Sequence, residues 1–182
     1  MLIEELTVQA SLDLLRRARL GRLACSQESQ PYVVPFYFVY HYNHLYSFST
    51  VGQKIEWMRA NPSVCVEADE VVSAHKWMSV IVFGHYEELL DKLKWRSERE
   101  FAWKILREHA VWWEPGYAKT IVQGTERLLV PVFYRIHVAR ITGRRATFEP
   151  VVPTERKVSM AEVGEGRALR RIVRLVRGKL KR

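Results

Sequence analysis

Cysteine is scarce: the 182 residues contain two, Cys25 and Cys65. Both fall in strand-like runs, so a disulfide framework is not expected and a reduced, cytoplasmic protein is. Long apolar runs are missing, and none approaches the roughly 20 residues needed to cross a bilayer. The opening residues, Met1-Leu2-Ile3-Glu4-Glu5, are acidic early and lack the basic start of a secretory signal. Zinc-type spacing is missing too. His41, His44 and His85 follow no metal-ligand pattern, so no metal is expected, and His41 and His44 flank a turn and read as exposed. No nucleophile–histidine–acid triad and no carboxylate pair stands out.

A charge excess is present, but it is local. The net charge is +9, yet eight basic residues and no acidic ones lie between Arg167 and Arg182. Without them the body holds 21 basic and 20 acidic residues. Any inference from basicity to anionic partners therefore applies to that tail alone. Hydrophobic residues make up 48%, enough for a real core, and aromatics 12%, enough to offer partners to a flat aromatic ligand.

The patterning predicts many short strands and few helices. Residues 7–19 read as an amphipathic helix with Leu12, Leu15 and Ala18 inward, capped by Thr7 or Ser11 and stopped at Gly21. Arg22–Ser26 reads as a first strand and Tyr32–Tyr40 as a second, buried on both faces, with Pro35 marking an edge or a bulge. Asn43-His44 reads as a hairpin turn and Leu45–Ser49 as the returning strand. Gly52–Ala60 reads as a short helix ended by Asn61-Pro62. Strands follow at Ser63–Asp69 and Trp77–Tyr86, with a bulge at Gly84. A charged helix is expected over Leu89–Trp112, broken at Pro115-Gly116. A final strand spans Leu128–Thr142, with a turn at Gly143-Arg144-Arg145. Residues 149–166 read as a linker and 167–182 as a basic, amphipathic helical tail for nucleic acid or an anionic lipid surface, or as a plain solubilising extension.

The stretch Ser49-Thr50-Val51-Gly52-Gln53-Lys54 carries the most chemistry. A strand ends, two hydroxyls follow and a helix begins. The first helical turn presents free backbone N–H groups at the positive end of the dipole, where anions bind. Ser49 and Thr50 can donate to phosphate oxygens, and Lys54 adds a full charge. An ordinary N-cap with a solvated lysine fits the same residues.

The ordered set Gly21-Arg22-Leu23-Ala24, Pro31-Tyr32-Val33-Val34-Pro35-Phe36, Leu45-Tyr46-Ser47-Phe48-Ser49, Gly52-Gln53-Lys54-Ile55 and Arg59-Ala60-Asn61-Pro62 resembles the pyridoxamine 5′-phosphate oxidase-like split barrels. So do Trp77-Met78-Ser79-Val80 and Tyr134-Arg135-Ile136 with Ile141-Thr142-Gly143-Arg144. The nitroimidazole-resistance branch is the most similar. The resemblance covers residues 11–145. It implies a mainly β, six-stranded Greek-key split barrel with flanking helices, forming a homodimer that binds FMN at the subunit interface. Val34, Pro35 and Phe36 would line the isoalloxazine ring. Ser47, Phe48, Ser49 and Thr50 would run beside the ribityl chain, Lys54 would hold the phosphate, and Gln53 is a further cofactor-binding position. Trp77 and Ser79 match further cofactor positions. Domain 1–148 would be the flavin domain. The implied function is an FMN-dependent oxidoreductase acting on a small molecule; relatives use a deazaflavin or haem, and a non-turning-over sensor is the other alternative. The histidine that the nitroimidazole-resistance branch carries near the Ser49 position is missing here, which argues against nitroimidazole reduction. The arginine-rich site of the vitamin oxidase is missing as well.

Overall fold

The computed structural model describes residues 1–108, 120–122, 125–127 and 131–148. Met1–Glu149 forms one compact unit. Its elements are β1 (Leu2–Glu5), α1 (Val8–Arg17), β2 (Leu20–Gln27), β3 (Gln30–Tyr37), β4 (Val39–His41), β5 (His44–Thr50), α2 (Gln53–Ala60), β6 (Ser63–Ser73), β7 (Lys76–Glu88), α3 (Arg96–Glu108), β8 (Thr120–Val122), β9 (Thr125–Arg127) and β10 (Pro131–Thr147). A 3-10 turn at Leu93–Trp95 leads into α3. The 109–112 end of the expected charged helix, the Pro115-Gly116 break, the linker and the basic tail lie outside the described residues.

The architecture is mainly β, as expected, and antiparallel throughout. One sheet runs β3-β2-β6-β7-β10-β5-β4, with β1 added along the far end of β10. The six long strands are β2, β3, β5, β6, β7 and β10; β1 and β4 are short additions. The two ends of this path, β3 and β4, are consecutive in the chain and separated only by Phe38, which is fully buried. The sheet must therefore curl until its ends approach, giving a split, unclosed barrel. Among the described residues, β8 and β9 form a separate hairpin.

Two apolar clusters fill the two faces. Leu23, Phe36, Phe38, Leu45, Val66, Val80, Tyr134 and Ile136 line the interior, with Leu14 and Leu15 of α1 and Ile55 and Met58 of α2 closing its ends. On the other face of β4, β5 and β10, Tyr37, Val39, Tyr46, Phe48 and Phe133 pack against Ala102 and Leu106 of α3. Thr7 caps α1, accepting from Ala10 N at 3.2 Å, while Ser11 is a buried contact residue. Arg16 and Arg17 sit in its last turn, where cations favour the dipole.

Several sequence expectations shift. The helix ends at Arg17 and Gly21 lies inside β2, so the chain enters the first strand sooner than the glycine suggested. Tyr32–Tyr40 is two strands. Residues 30–35 form an edge strand with exposed positions, which suits Pro31 and Pro35, and burial on both faces is confined to residues 36–39. The hairpin turn is Tyr42-Asn43, both with positive φ (39° and 62°), and His44 begins the returning strand. The extra residue of the bulge is Ala139 on β10, between the pairs Val138–Gly84 and Arg140–Phe83. Gly84 serves it from across the ladder: a Cβ there would lie 2.5 Å from the His137 carbonyl oxygen. Gly143-Arg144-Arg145 is no turn. It continues β10, pairing with β7 on one side and, through Arg144 and Arg145, with β1 on the other. Glycine and arginine pairs signal turns locally, but two flanking strands supply the ladder that keeps this segment extended.

Candidate functional site

The β5–α2 corner carries Ser47, Phe48, Ser49, Thr50, Gln53 and Lys54 in one continuous segment. Side chains alternate along β5. Ser47 and Ser49 face the barrel interior beside Tyr134 and Val132, their direct partners on β10, and both serines are buried. Tyr46 and Phe48 face α3, and the Phe48 ring lies 5.7 Å from that of Phe133. Phe48 is thus a core residue on the side away from Ser47 and Ser49. The Ser47 hydroxyl donates to the Tyr37 carbonyl at 2.6 Å, tying β5 to the end of β3. That bond brings the strand carrying Val34, Pro35 and Phe36 alongside the one carrying Ser47–Thr50. Phe36 stacks on Phe38 at 5.3 Å inside the core; Pro35 is exposed on the edge strand and Val34 is half-buried.

Thr50 ends β5, and Gly52 begins α2 without any side-chain cap. The first helical hydrogen bond runs from Glu56 N to Gly52 O at 3.0 Å, so the first-turn amides of Gln53, Lys54 and Ile55 precede the intrahelical ladder. A Cβ on Gly52 would meet nothing within 4 Å, which leaves open space at the helix start. Neither Ser49 nor Thr50 is consumed as a cap. Lys54 is half-buried in this first turn. Its charge reaches Cys25, opposing the upward push that burial gives that thiol. Glu56, also in the first turn, is exposed and points the local charge the other way. Two hydroxyls, an uncapped helix start and a lysine, beside an apolar edge strand, make a donor set that fits a phosphate-bearing aromatic ligand.

At the far end of α2, Arg59 forms two 2.7 Å bonds to the carboxylate of Glu88 on β7, and the Tyr86 hydroxyl donates to it at 3.0 Å. The Arg59 guanidinium holds the Glu88 carboxyl below the usual carboxylate range. These bonds, with Asn61 donating to the Ser26 carbonyl at 3.1 Å, fix the helix that carries Lys54.

Trp77 and Ser79 lie elsewhere. They line a groove of about 570 Å³ with Ile81, Thr142 and Arg144. Thr50 pairs with Pro131 on β10 whereas Ser79 pairs with Arg144, thirteen residues further along that strand. At about 3.3 Å per residue this is roughly 40 Å of contour. Within one chain the two groups occupy opposite ends of β10. On the outward face, the Ser79 hydroxyl donates to Glu67 at 3.1 Å; Glu67 and Asp69 both bind Arg22, and Arg22 pairs with Pro35 across the ladder. Arg22 and Arg144 stand in the resembling motifs and Glu67 does not, but only strand register sets the three beside Pro35 and Ser79.

Residues 7–145 match the family model described as pyridoxamine 5′-phosphate oxidase. An uncharacterized protein of Rhizobium meliloti (strain 1021) is 41% identical over 127 residues, spanning 70% of this chain and 84% of the relative. The crystal structure of an FAD-binding protein from Mesorhizobium loti is 44% identical, with a TM-score of 0.69 over 81% of this chain and 100% of that one. An FAD-binding protein from Mycobacterium smegmatis shares the fold at 22% identity, with a TM-score of 0.55 over 79% of this chain and 98% of that one. The split barrel, the ordered motifs and these likenesses agree: the chain belongs to the pyridoxamine 5′-phosphate oxidase family.

Proposed function

We propose that this protein is a flavin-nucleotide-binding oxidoreductase that holds FMN between two copies of the chain. The observation that carries the reading is the β5–α2 corner: Ser49, Thr50, an uncapped helix start at Gly52 and Lys54 follow one another where a strand ends. The family, and the Mesorhizobium relative's description as an FAD-binding protein, support a flavin. In this reading Lys54, Thr50 and the first-turn amides hold the phosphate. Gln53 and Ser49 accompany the ribityl chain, and the Val34–Phe36 strand offers the apolar edge to the ring. When bound, the flavin supplies hydride or electron transfer, and the protein supplies orientation, exclusion of water and hydrogen bonds. No acid–base residue is required of this chain beyond that.

A second copy accounts for Trp77 and Ser79. They lie too far along β10 to share one ligand's phosphate with Lys54 in a single chain. The outward face of β2, β3, β6 and β7 exposes Leu20, Val33, Val71 and Phe83 around the Arg22–Glu67–Asp69 cluster, a mixture suited to a protein interface. A homodimer built on this face would bring Trp77 and Ser79 of one protomer toward the corner of its partner. Purification in visible light tests the proposal. A yellow protein, or a colourless one that takes up FMN at one per protomer, supports it. Failure to bind FMN while taking up a deazaflavin or haem moves the function to that ligand, and binding none of the three removes it.

A further inference from the structure

Four of the chain's six histidines fall into one row of the sheet. His41 pairs with His44 across the β4–β5 hairpin, His44 with His137 across β5 and β10, and His137 with His85 across β10 and β7. Residues directly opposite on antiparallel strands project to the same face. The row therefore spans four adjacent strands on one face. Along the chain the four are scattered and match no ligand spacing; the register alone assembles them.

The centre of the row is already close. The rings of His44 and His137 lie 5.3 Å apart at 62°. Zinc–nitrogen distances of about 2.0–2.1 Å place two imidazole ring centres on one tetrahedral ion roughly 5 Å apart. The His44 Nδ1 lies 2.8 Å from the Tyr42 carbonyl oxygen. A ring nitrogen that donates to a backbone carbonyl fixes the tautomer and leaves Nε2 with its lone pair, as metal-bound histidines are held. The Asn43 amide lies 3.4 Å from His137 Nε2, a long contact, and makes its main bond to the Val138 carbonyl at 3.0 Å. Arg135 sits two pairs down the strand on the same face, but Glu87 and Glu98 each hold it at 2.7 Å and offset its charge. His85 and His137 are exposed, while the His41 ring packs 4.8 Å from Phe101. Among the described residues no three ligating side chains already converge. The preformed part is the pair, and His85 is placed to complete it.

We propose that His44 and His137, with His85 joining by side-chain rotation, bind a divalent transition metal of imidazole preference, zinc, nickel or copper, and so clamp β5, β10 and β7 together. This site is separate from the β5–α2 corner and does not depend on flavin binding.

Tag-free full-length protein titrated calorimetrically with ZnCl2 near pH 7.5 tests it. The proposal expects one zinc per chain. It also expects affinity to fall by at least about tenfold in both His137→Ala and His44→Gln, since losing even an outer-shell partner costs about 10- to 100-fold. His75→Ala and Cys65→Ser, outside the row, should bind as the parent does. Thermal melts should show zinc stabilising the parent but not the two row variants, and equal metal-free melts would show that those variants fold. Absence of zinc binding, weakening in only one of the two row variants, or equal weakening in the controls overturns the proposal.

Discussion

The Ser47 hydroxyl donates to the Tyr37 main-chain carbonyl at 2.6 Å, across the seam where the two ends of the curled sheet meet. Ser47 is 1% exposed. This bond links the end of the edge strand carrying Pro35 to the strand carrying Ser49. It replaces the ladder hydrogen bonds that a closed barrel would have there. Ser47→Ala should lower stability by about 1 kcal/mol, read from the midpoint of urea unfolding. A variant as stable as the parent would show that the seam is held by packing alone.

Gly84 sets a second limit. A Cβ there would lie 2.5 Å from the His137 carbonyl oxygen and 2.6 Å from the Ile136 side chain. The near contact is backbone of the bulged strand, which cannot swing aside. Gly84→Ala should cost about 1–3 kcal/mol by overpacking, measured by thermal or denaturant unfolding. Retention of full stability would mean that the β7–β10 ladder is looser than its register indicates.

The Arg59–Glu88 pair predicts a pH dependence. Arg59 depresses the Glu88 carboxyl, with the Tyr86 hydroxyl assisting. A depressed folded-state pKa adds stability above the unfolded value, near 4.5, and that stability is lost as pH falls through the folded value. Arg59 is 43% exposed on its side chain and Glu88 16%, so the pair should be worth roughly 1 kcal/mol or less. The stability gap between the parent and Glu88→Gln should be full at pH 6–7 and shrink below pH 4. A gap constant with pH would assign the effect to packing.

Val33 is 59% exposed on the outward sheet face and Val71 66%. If this face joins two copies, Val33→Glu should shift sedimentation or light scattering toward the monomer without lowering the monomer's own stability by more than about 0.5 kcal/mol. A parent that is monomeric at micromolar concentration would remove the two-copy site.

Much of this was legible in the sequence where the chemistry is local. The Ser49–Lys54 corner, the α2 helix and its Asn61-Pro62 stop, and the edge character given by Pro35 follow from neighbouring residues. What escaped depended on pairing. Leu2–Glu5 is a strand only because β10 extends far enough to receive it, and Gly143-Arg144-Arg145 stays extended because β1 and β7 flank it. The separation of Trp77 from Lys54, and the alignment of His44 with His137, are likewise properties of register, which no window along the chain contains.

The most direct test of the β5–α2 corner compares FMN with riboflavin, which lacks the phosphate, in titrations of apoprotein and of Lys54→Ala. A charged hydrogen bond contributes about 1.5–3 kcal/mol, or roughly 10- to 100-fold in affinity. The account predicts that Lys54→Ala weakens FMN by that factor and leaves riboflavin unchanged. Equal FMN affinity in the two proteins, or equal weakening of both ligands, would contradict the assignment of Lys54 and the helix start as the phosphate site.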